Sequence, residues 1–295
     1  MIRTLPLIAV ALATTAFTVP AIAADYGSFK PGYGWDDSFE DDLDIELGVR
    51  YWYSMGAHNM SVMGGTYTET DTGHILELQG RVDDHGSDFY GKAYVGYSAV
   101  IMSTYTTPSG GPTTSASGRV AYVGGDIGAM PISNGDDSMQ AGAFAGYMFW
   151  NDSPDMGRVN YSTGSQPNDL NYNVVRLGVA AKADLGAFDL WAEAAAVPYA
   201  SLQGTYGALA PALLPGETQT SAGSISSGWL YGAMGEVMAR FHPAENWTIG
   251  IGGRAWYLTG QADVSFTSTL GNWVAKTTNF STMRYGLLAE VGYRF

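Results

Sequence analysis

The chain has 295 residues, with 28 acidic against 14 basic side chains, no cysteine, 39 glycines and 19 tyrosines. Only 14% of residues are charged, well below the roughly 25% of an ordinary soluble domain, while 46% hydrophobic content excludes long disorder. No run beyond the N-terminus reaches about 18 consecutive apolar residues, which excludes helical membrane spans. A net charge of −14 without a basic cluster excludes a nucleic-acid partner.

Met1, Ile2 and Arg3 begin a short positive region that leads into a mostly apolar run over 5–19, and Ala21-Ile22-Ala23 has the small-x-small form of a cleavage site. Residues 1–23 therefore read as a secretory signal peptide. The absence of cysteine leaves neither a lipid anchor nor a disulfide framework. Residues 24–42 form an acidic periplasmic lead-in, densest from Trp35 to Asp44. Its oxygen-rich run invites Ca²⁺, but it lacks the glycine and ligand spacing of a calcium loop. No metal or cofactor is expected.

From residue 43 onward, segments of about ten residues alternate apolar with polar or small side chains, the period of a strand. In the first, Leu43, Ile45, Leu47, Val49, Tyr51 and Tyr53 share one face, with Asp44, Glu46, Gly48, Arg50, Trp52 and Ser54 on the other. Similar segments fall near 73–83, 89–101, 120–130, 138–150, 174–184, 187–197, 228–241, 247–258 and 283–295. No Asp, Glu, Lys or Arg occupies an apolar-face position of these segments; His74 is the one titratable exception. The opposite faces carry the charges, arginines and lysines included. A soluble sandwich would place charge outside, whereas a charge facing lipid at mid-depth costs about 2–4 kcal/mol. The pattern predicts an all-β fold, a closed antiparallel transmembrane β-barrel of about ten strands over 43–295, polar within and apolar without.

Short turns are expected at 83–88, 131–136, 184–187 and 242–246, and long connections at 55–71, 104–117, 151–171, 200–227 and 261–279. Outer-membrane barrels keep short turns in the periplasm and long loops outside. Phe89, Phe188, Phe241, Trp247, Tyr293 and Phe295 then form a periplasmic aromatic girdle, and Tyr51, Tyr53, Phe149, Trp229, Tyr257 and Tyr285 an outer one. Tyr293 and the terminal Phe295 have the form of a signal for the barrel assembly machinery. Ten strands enclose a bore little wider than side chains fill. Its mixed charges should pair, because an unpaired buried charge is costly. The expected lumen network draws on Glu46, Arg50, Glu77, Arg81, Glu236, Arg240, Arg254, Glu290 and Arg294.

Three segments, Glu46-Leu-Gly-Val-Arg-Tyr-Trp-Tyr53, Gly142-Ala-Phe-Ala-Gly-Tyr147 and Gly252-Gly-Arg-Ala-Trp-Tyr257, together with length and strand count, resemble the omptin-like outer-membrane barrels. The likeness is to non-catalytic relatives of the alphaproteobacterial type more than to the surface proteases. In the proteases, the resemblance implies an acidic pair at the outer ends of strands three and four, and an Asp–His pair around strands seven and eight. Here 104–117 holds no Asp or Glu, and 200–227 holds Glu217 and no histidine. Asp83, Asp84, His85 and His242 fall in periplasmic turns. His58 and His74 are expected near the outside, beside Ser61, Glu69 and Asp71, with His74 towards lipid. A barrel that modifies lipid would want a Ser nucleophile or His–Asp pair there. His74 reads instead as an interfacial side chain, and no catalytic residue is assigned. The expected protein is a monomeric outer-membrane barrel in contact with lipid and lipopolysaccharide, structural or surface-interacting in role. A narrow solute or ion channel and an omptin-type endopeptidase are the alternatives.

Overall fold

The computed structural model describes residues 43–84, 86–107, 112–135, 138–156, 167–206, 215–277 and 279–295. The signal peptide and acidic lead-in read from the sequence, and His85, lie outside them. Among the described residues there are twelve strands: β1 (Leu43–Val62), β2 (Gly65–Asp84), β3 (Phe89–Thr106), β4 (Thr113–Ser115), β5 (Arg119–Ser133), β6 (Met139–Ser153), β7 (Asp169–Asp184), β8 (Phe188–Tyr206), β9 (Gly223–Ala244), β10 (Trp247–Ser268), β11 (Gly271–Lys276) and β12 (Asn279–Arg294). Ten of them close a ring. Each pairs antiparallel with its neighbour from β1 through β3, β5 and on to β10, then β10 pairs with β12 and β12 with β1. The short β4 and β11 pair with β3 and β10 beyond the ring. Both ends of the barrel chain lie at the end with the short turns, called the lower end below: Leu43 opposes Asp84, and Glu46 opposes Arg294.

Closure leaves no strand edge in the ring, as a hydrocarbon surround requires. The outward face carries an apolar belt: Val49, Leu78, Ile127, Val179, Ile251 and Leu287 are all more than half exposed. A soluble protein does not expose so large an apolar surface. The aromatic residues read as girdles also face outward, with Phe89, Phe188, Trp247 and Phe295 at the lower end and Tyr53, Trp229, Tyr257 and Tyr285 above.

The long strands overshoot this belt. About 9–11 residues cross a bilayer, yet β1 has 20 and β10 has 22. Beyond Tyr53 and Tyr257 the alternation continues, but its chemistry inverts. Outward positions become Asn59 and Ser61 on β1, Thr66, Thr68 and Thr70 on β2, and Gln261, Asp263 and Ser265 on β10. Inward positions become apolar and buried: Met60, Val62, Tyr67, Val264, Phe266 and Phe280. This upper section is built like a soluble sandwich. Residues 259–268 alone carry the wall roughly 25 Å further, from about 3.3 Å per residue at a tilt near 40°.

The inversion corrects the long connections expected from sequence. Segment 55–71 is no loop but the upper half of the β1–β2 hairpin, closed at Met63 and Gly64. Both have positive φ, 51° and 79°, as a two-residue type I′ turn demands. Likewise 261–279 is largely the extension of β10 and its partner β11, and 104–117 contains β4. An outward-apolar criterion stops at the edge of the belt, although the strands do not.

The belt can be tested on a single strand. Leu78→Arg, mid-belt on β2, should cost about 2–4 kcal/mol, whereas Thr68→Arg on the same outward face should stay within about 0.5 kcal/mol. Urea unfolding in lipid vesicles reads both, and equal losses would contradict this placement of the belt.

Candidate functional site: a filled lumen

The inward side chains form tiers. In the middle tier Arg50 on β1 is the hub: its Nε donates to Glu290, and its Nη1 to Glu236 at 2.9 Å and Glu77 at 3.4 Å. Arg254 on β10 donates to Glu236 and Glu77, each at 2.6 Å. The Tyr122 hydroxyl also donates to Glu77, at 2.6 Å. Arg240 lies 3.2 Å from Glu290 and 3.8 Å from Glu46, and Arg294 lies 3.9 Å from Glu46. Glu46, Arg50, Glu77, Glu236, Arg240, Arg254, Glu290 and Arg294 thus make one chain of ion pairs, drawn from five strands. Arg81 does not join it. Its guanidinium pairs with Asp83 at 2.6 and 2.7 Å and sits between the rings of Tyr90 and Trp191, 4.2 and 4.0 Å from their centroids. Two further pairs cross the bore, Lys92 with Glu193 at 2.7 Å and Arg176 with Asp126. Small residues make the space for this filling. A Cβ at Gly96 would lie 2.2 Å from the Tyr122 ring, so glycine there is what admits the tyrosine.

Above the ion pairs lies a layer of aromatic rings. Trp52, Tyr122 and Trp150 each pack on Trp256, with centroids 4.8, 5.1 and 5.4 Å away, and Tyr172 stacks on Trp150 at 4.5 Å. Arg254 lies against this layer, 5.2 Å from Trp52.

Higher still, beyond the belt, is a second polar chamber. Arg284 on β12 donates to both oxygens of Asp71 at 2.8 and 2.9 Å, and to Asp152 at 3.1 Å. His58 Nε2 lies 3.2 Å from Asp152 Oδ2, and Tyr172 closes the other ring nitrogen at 3.5 Å. Glu69 accepts from the Asn168 amide at 2.6 Å, and the Asn168 backbone N–H donates to Asp155 at 2.7 Å. Gly56 leaves room for the Arg284–Asp71 pair; a Cβ there would lie 2.0 Å from Asp71 Oδ2. His58, Asp71 and Asp152 bring their ligand atoms within 4.8 Å of one another, the composition of a metal site. The arrangement is an ion-pair network instead, because Arg284 already takes both oxygens of Asp71 and bridges to Asp152.

This chamber corrects the sequence reading of His58, Glu69 and Asp71. They do not flank the outer surface; all three point inward and are buried. Parity carries the signal, since they continue the inward positions of β1 and β2, but 55–71 lacks the apolar outer face that marks a strand within lipid. Asp152 was likewise placed in a connection. His58–Asp152 is a His–Asp pair, yet a general base must come within hydrogen-bond reach of its substrate, and both side chains have no exposed surface. His74 faces outward, its Nδ1 2.5 Å from the Tyr51 hydroxyl and its ring edge-on to Tyr53. At the lower end His242 pairs with Asp189 at 3.1 Å, and Asp84 holds the β2–β3 turn through Gly86 and Ser87. Tyr293 packs between Trp247 and Phe295, with centroids 5.2 and 4.9 Å away.

Two cavities among the described residues of the lumen are small. A cavity among Lys92, Tyr94, Arg176, Glu193 and Arg254 offers about 20 Å³ to water, and one at the lower mouth about 50 Å³. One water needs about 10–15 Å³ by this measure, so each holds a few molecules at most.

Closed ring, apolar belt and charged interior define an outer-membrane β-barrel. No family model matches the chain, and no curated protein does either. Among solved structures, the outer membrane protease OmpT from Escherichia coli superimposes with a TM-score of 0.59 at 9% identity, over 86% of this chain and 97% of that one. The translocator domain of the autotransporter NalP from Neisseria meningitidis aligns with a TM-score of 0.37 at 11% identity, over 98% and 97%. The likeness to OmpT is one of fold.

Removing the hub tests the middle tier. Arg50→Ala takes one guanidinium from three buried carboxylates, leaving Glu77 and Glu236 to Arg254 and Glu290 to Arg240, and should cost about 3–5 kcal/mol. Thermal unfolding in detergent reads the loss, and a cost below about 1 kcal/mol would show that the network carries no weight.

Proposed function

We propose that this chain is an exported outer-membrane barrel of omptin-like architecture, monomeric, with a sealed lumen and a structural or surface-presenting role. The observation that carries the reading is the unbroken succession of ion pairs, aromatic rings and upper chamber across the bore, with room for only a few waters. A conducting path needs a continuous aqueous bore, and a surface protease needs its acid–base groups open to a peptide. The buried His58–Asp152 pair meets neither need. The upper section presents a polar wall and loops beyond the membrane, where ligands bind on rigid barrels. The belt and girdles fit lipid and lipopolysaccharide, and Tyr293 with Phe295 fit the barrel assembly machinery as the reader of the C-terminus.

The decisive experiment is single-channel recording of the refolded protein in planar bilayers, run beside cleavage of a dibasic fluorogenic peptide in lipopolysaccharide. Silence in both is expected. Discrete conductance steps would establish a narrow channel instead, and cleavage would establish an endopeptidase. Independently, deleting Phe295 should lower the yield of heat-modifiable, folded barrel in outer membranes at least several-fold; unchanged yield would remove the assembly role assigned to it.

A further inference from the structure

In the middle lumen each carboxylate faces an arginine or lysine, and at the lower mouth Asp189 faces His242. Glu46, Glu77, Glu236, Glu290, Glu193 and Asp126 face Arg50, Arg240, Arg254, Arg294, Lys92 and Arg176, while Arg81 answers Asp83. The upper chamber is not matched in this way. Glu69, Asp71 and Asp152 are buried there, and Arg284 is committed to Asp71 and Asp152. His58, even when protonated, faces Asp152. Among the described residues no Arg or Lys pairs with Glu69, whose Oε1 is buried without a hydrogen-bond partner.

We propose that this chamber is a proton-binding site in which Glu69 is held as a neutral carboxylic acid at neutral pH, and that its ionisation in alkaline medium loosens the upper barrel. With Arg284 committed to Asp71 and Asp152, an ionised Glu69 would be a buried carboxylate with no cation among the described residues; that is costly, and such a group takes up a proton instead. Among the described residues, the groups around Glu69 come from several strands. β1 presents His58, β2 Asp71 and Tyr67, β3 Tyr105, and β6 with the residues after it Asp152 and Asp155. Asn168 and Tyr172 come from the entry to β7 and from β7 itself, and Arg284 from β12. From β8 comes Tyr206, whose ring packs on Tyr67 and Tyr105. Glu69 lies above the belt, where Thr68 and Thr70 flank it on the outward face. Burial first, then Asp155, Asp152 and Asp71, push its carboxyl well above the ordinary range, against the opposing pull of the Asn168 amide. A group raised in this way stabilises the fold at low pH, and the contribution fades as pH rises through its folded-state value.

The test is thermal unfolding of the refolded full barrel from pH 6 to pH 10, for the wild type and Glu69→Gln, with and without a chelator. The wild type should lose roughly 3 °C per pH unit from pH 6 upward while Glu69 stays protonated in the fold, and level off once it ionises there. Glu69→Gln, a permanent stand-in for the acid, should be at least as stable as the wild type at pH 6 and lack this slope above. Equal slopes in both proteins, or a variant already destabilised at pH 6, would overturn the proposal. So would a wild-type transition lowered by the chelator and restored by Ca²⁺ or Zn²⁺, which would show that a metal ion closes the charge. If the variant does not refold, infrared spectra of the wild type decide: a carboxylic-acid C=O band present at pH 7 and lost by pH 10 supports the proposal, and its absence at pH 7 overturns it.

Discussion

Everything inside this barrel follows from one constraint: ten closed strands enclose a bore that side chains fill, so each inward charge must find its counter-charge across the lumen. Arg50 meets this by reaching carboxylates from β2, β9 and β12 at once. No pair of adjacent strands could supply such a set. The network therefore ties walls together that the backbone ladder leaves apart. It also accounts for the glycines opposite Tyr122 and Arg284, since a bore this narrow admits long side chains only where their neighbours have none.

The same alternation serves two solvents along one strand. Within the belt, lipid outside and ion pairs inside make the fold inside out relative to a soluble protein. Past Tyr53 and Tyr257, water replaces lipid, and the faces exchange roles, on β1 and β2 without a shift of register. Polar threonines and asparagines turn outward, and a small apolar core with one buried polar chamber forms within. That chamber is where a carboxylate, Glu69, has no cation among the described residues, because Arg284 is committed to Asp71 and Asp152.

The omptin-like resemblance bears on fold, and the superposition on OmpT agrees at that level. The acidic pair and Asp–His pair that the resemblance would place in 104–117 and 200–227 are missing from those sequences. The one His–Asp pair of the upper barrel, His58 with Asp152, arises from different strands and is walled in. A shared barrel thus carries a different interior, as expected where function resides in sites rather than folds.

The sequence by itself determined the strands and their facing. Period-two alternation with no charge on the apolar side at Leu43 to Tyr53, or at Met283 to Phe295, is a local property that needs no partner to be read. The counter-ion of each lumen charge was decided only by tertiary structure, because Arg50 and Glu290 stand 240 residues apart and meet through ring closure. His58, Glu69, Asp71 and Asp152 were illegible for the same reason: their segments lack an apolar outer face, and nothing local distinguishes an exposed loop from a wall that has passed out of lipid into water.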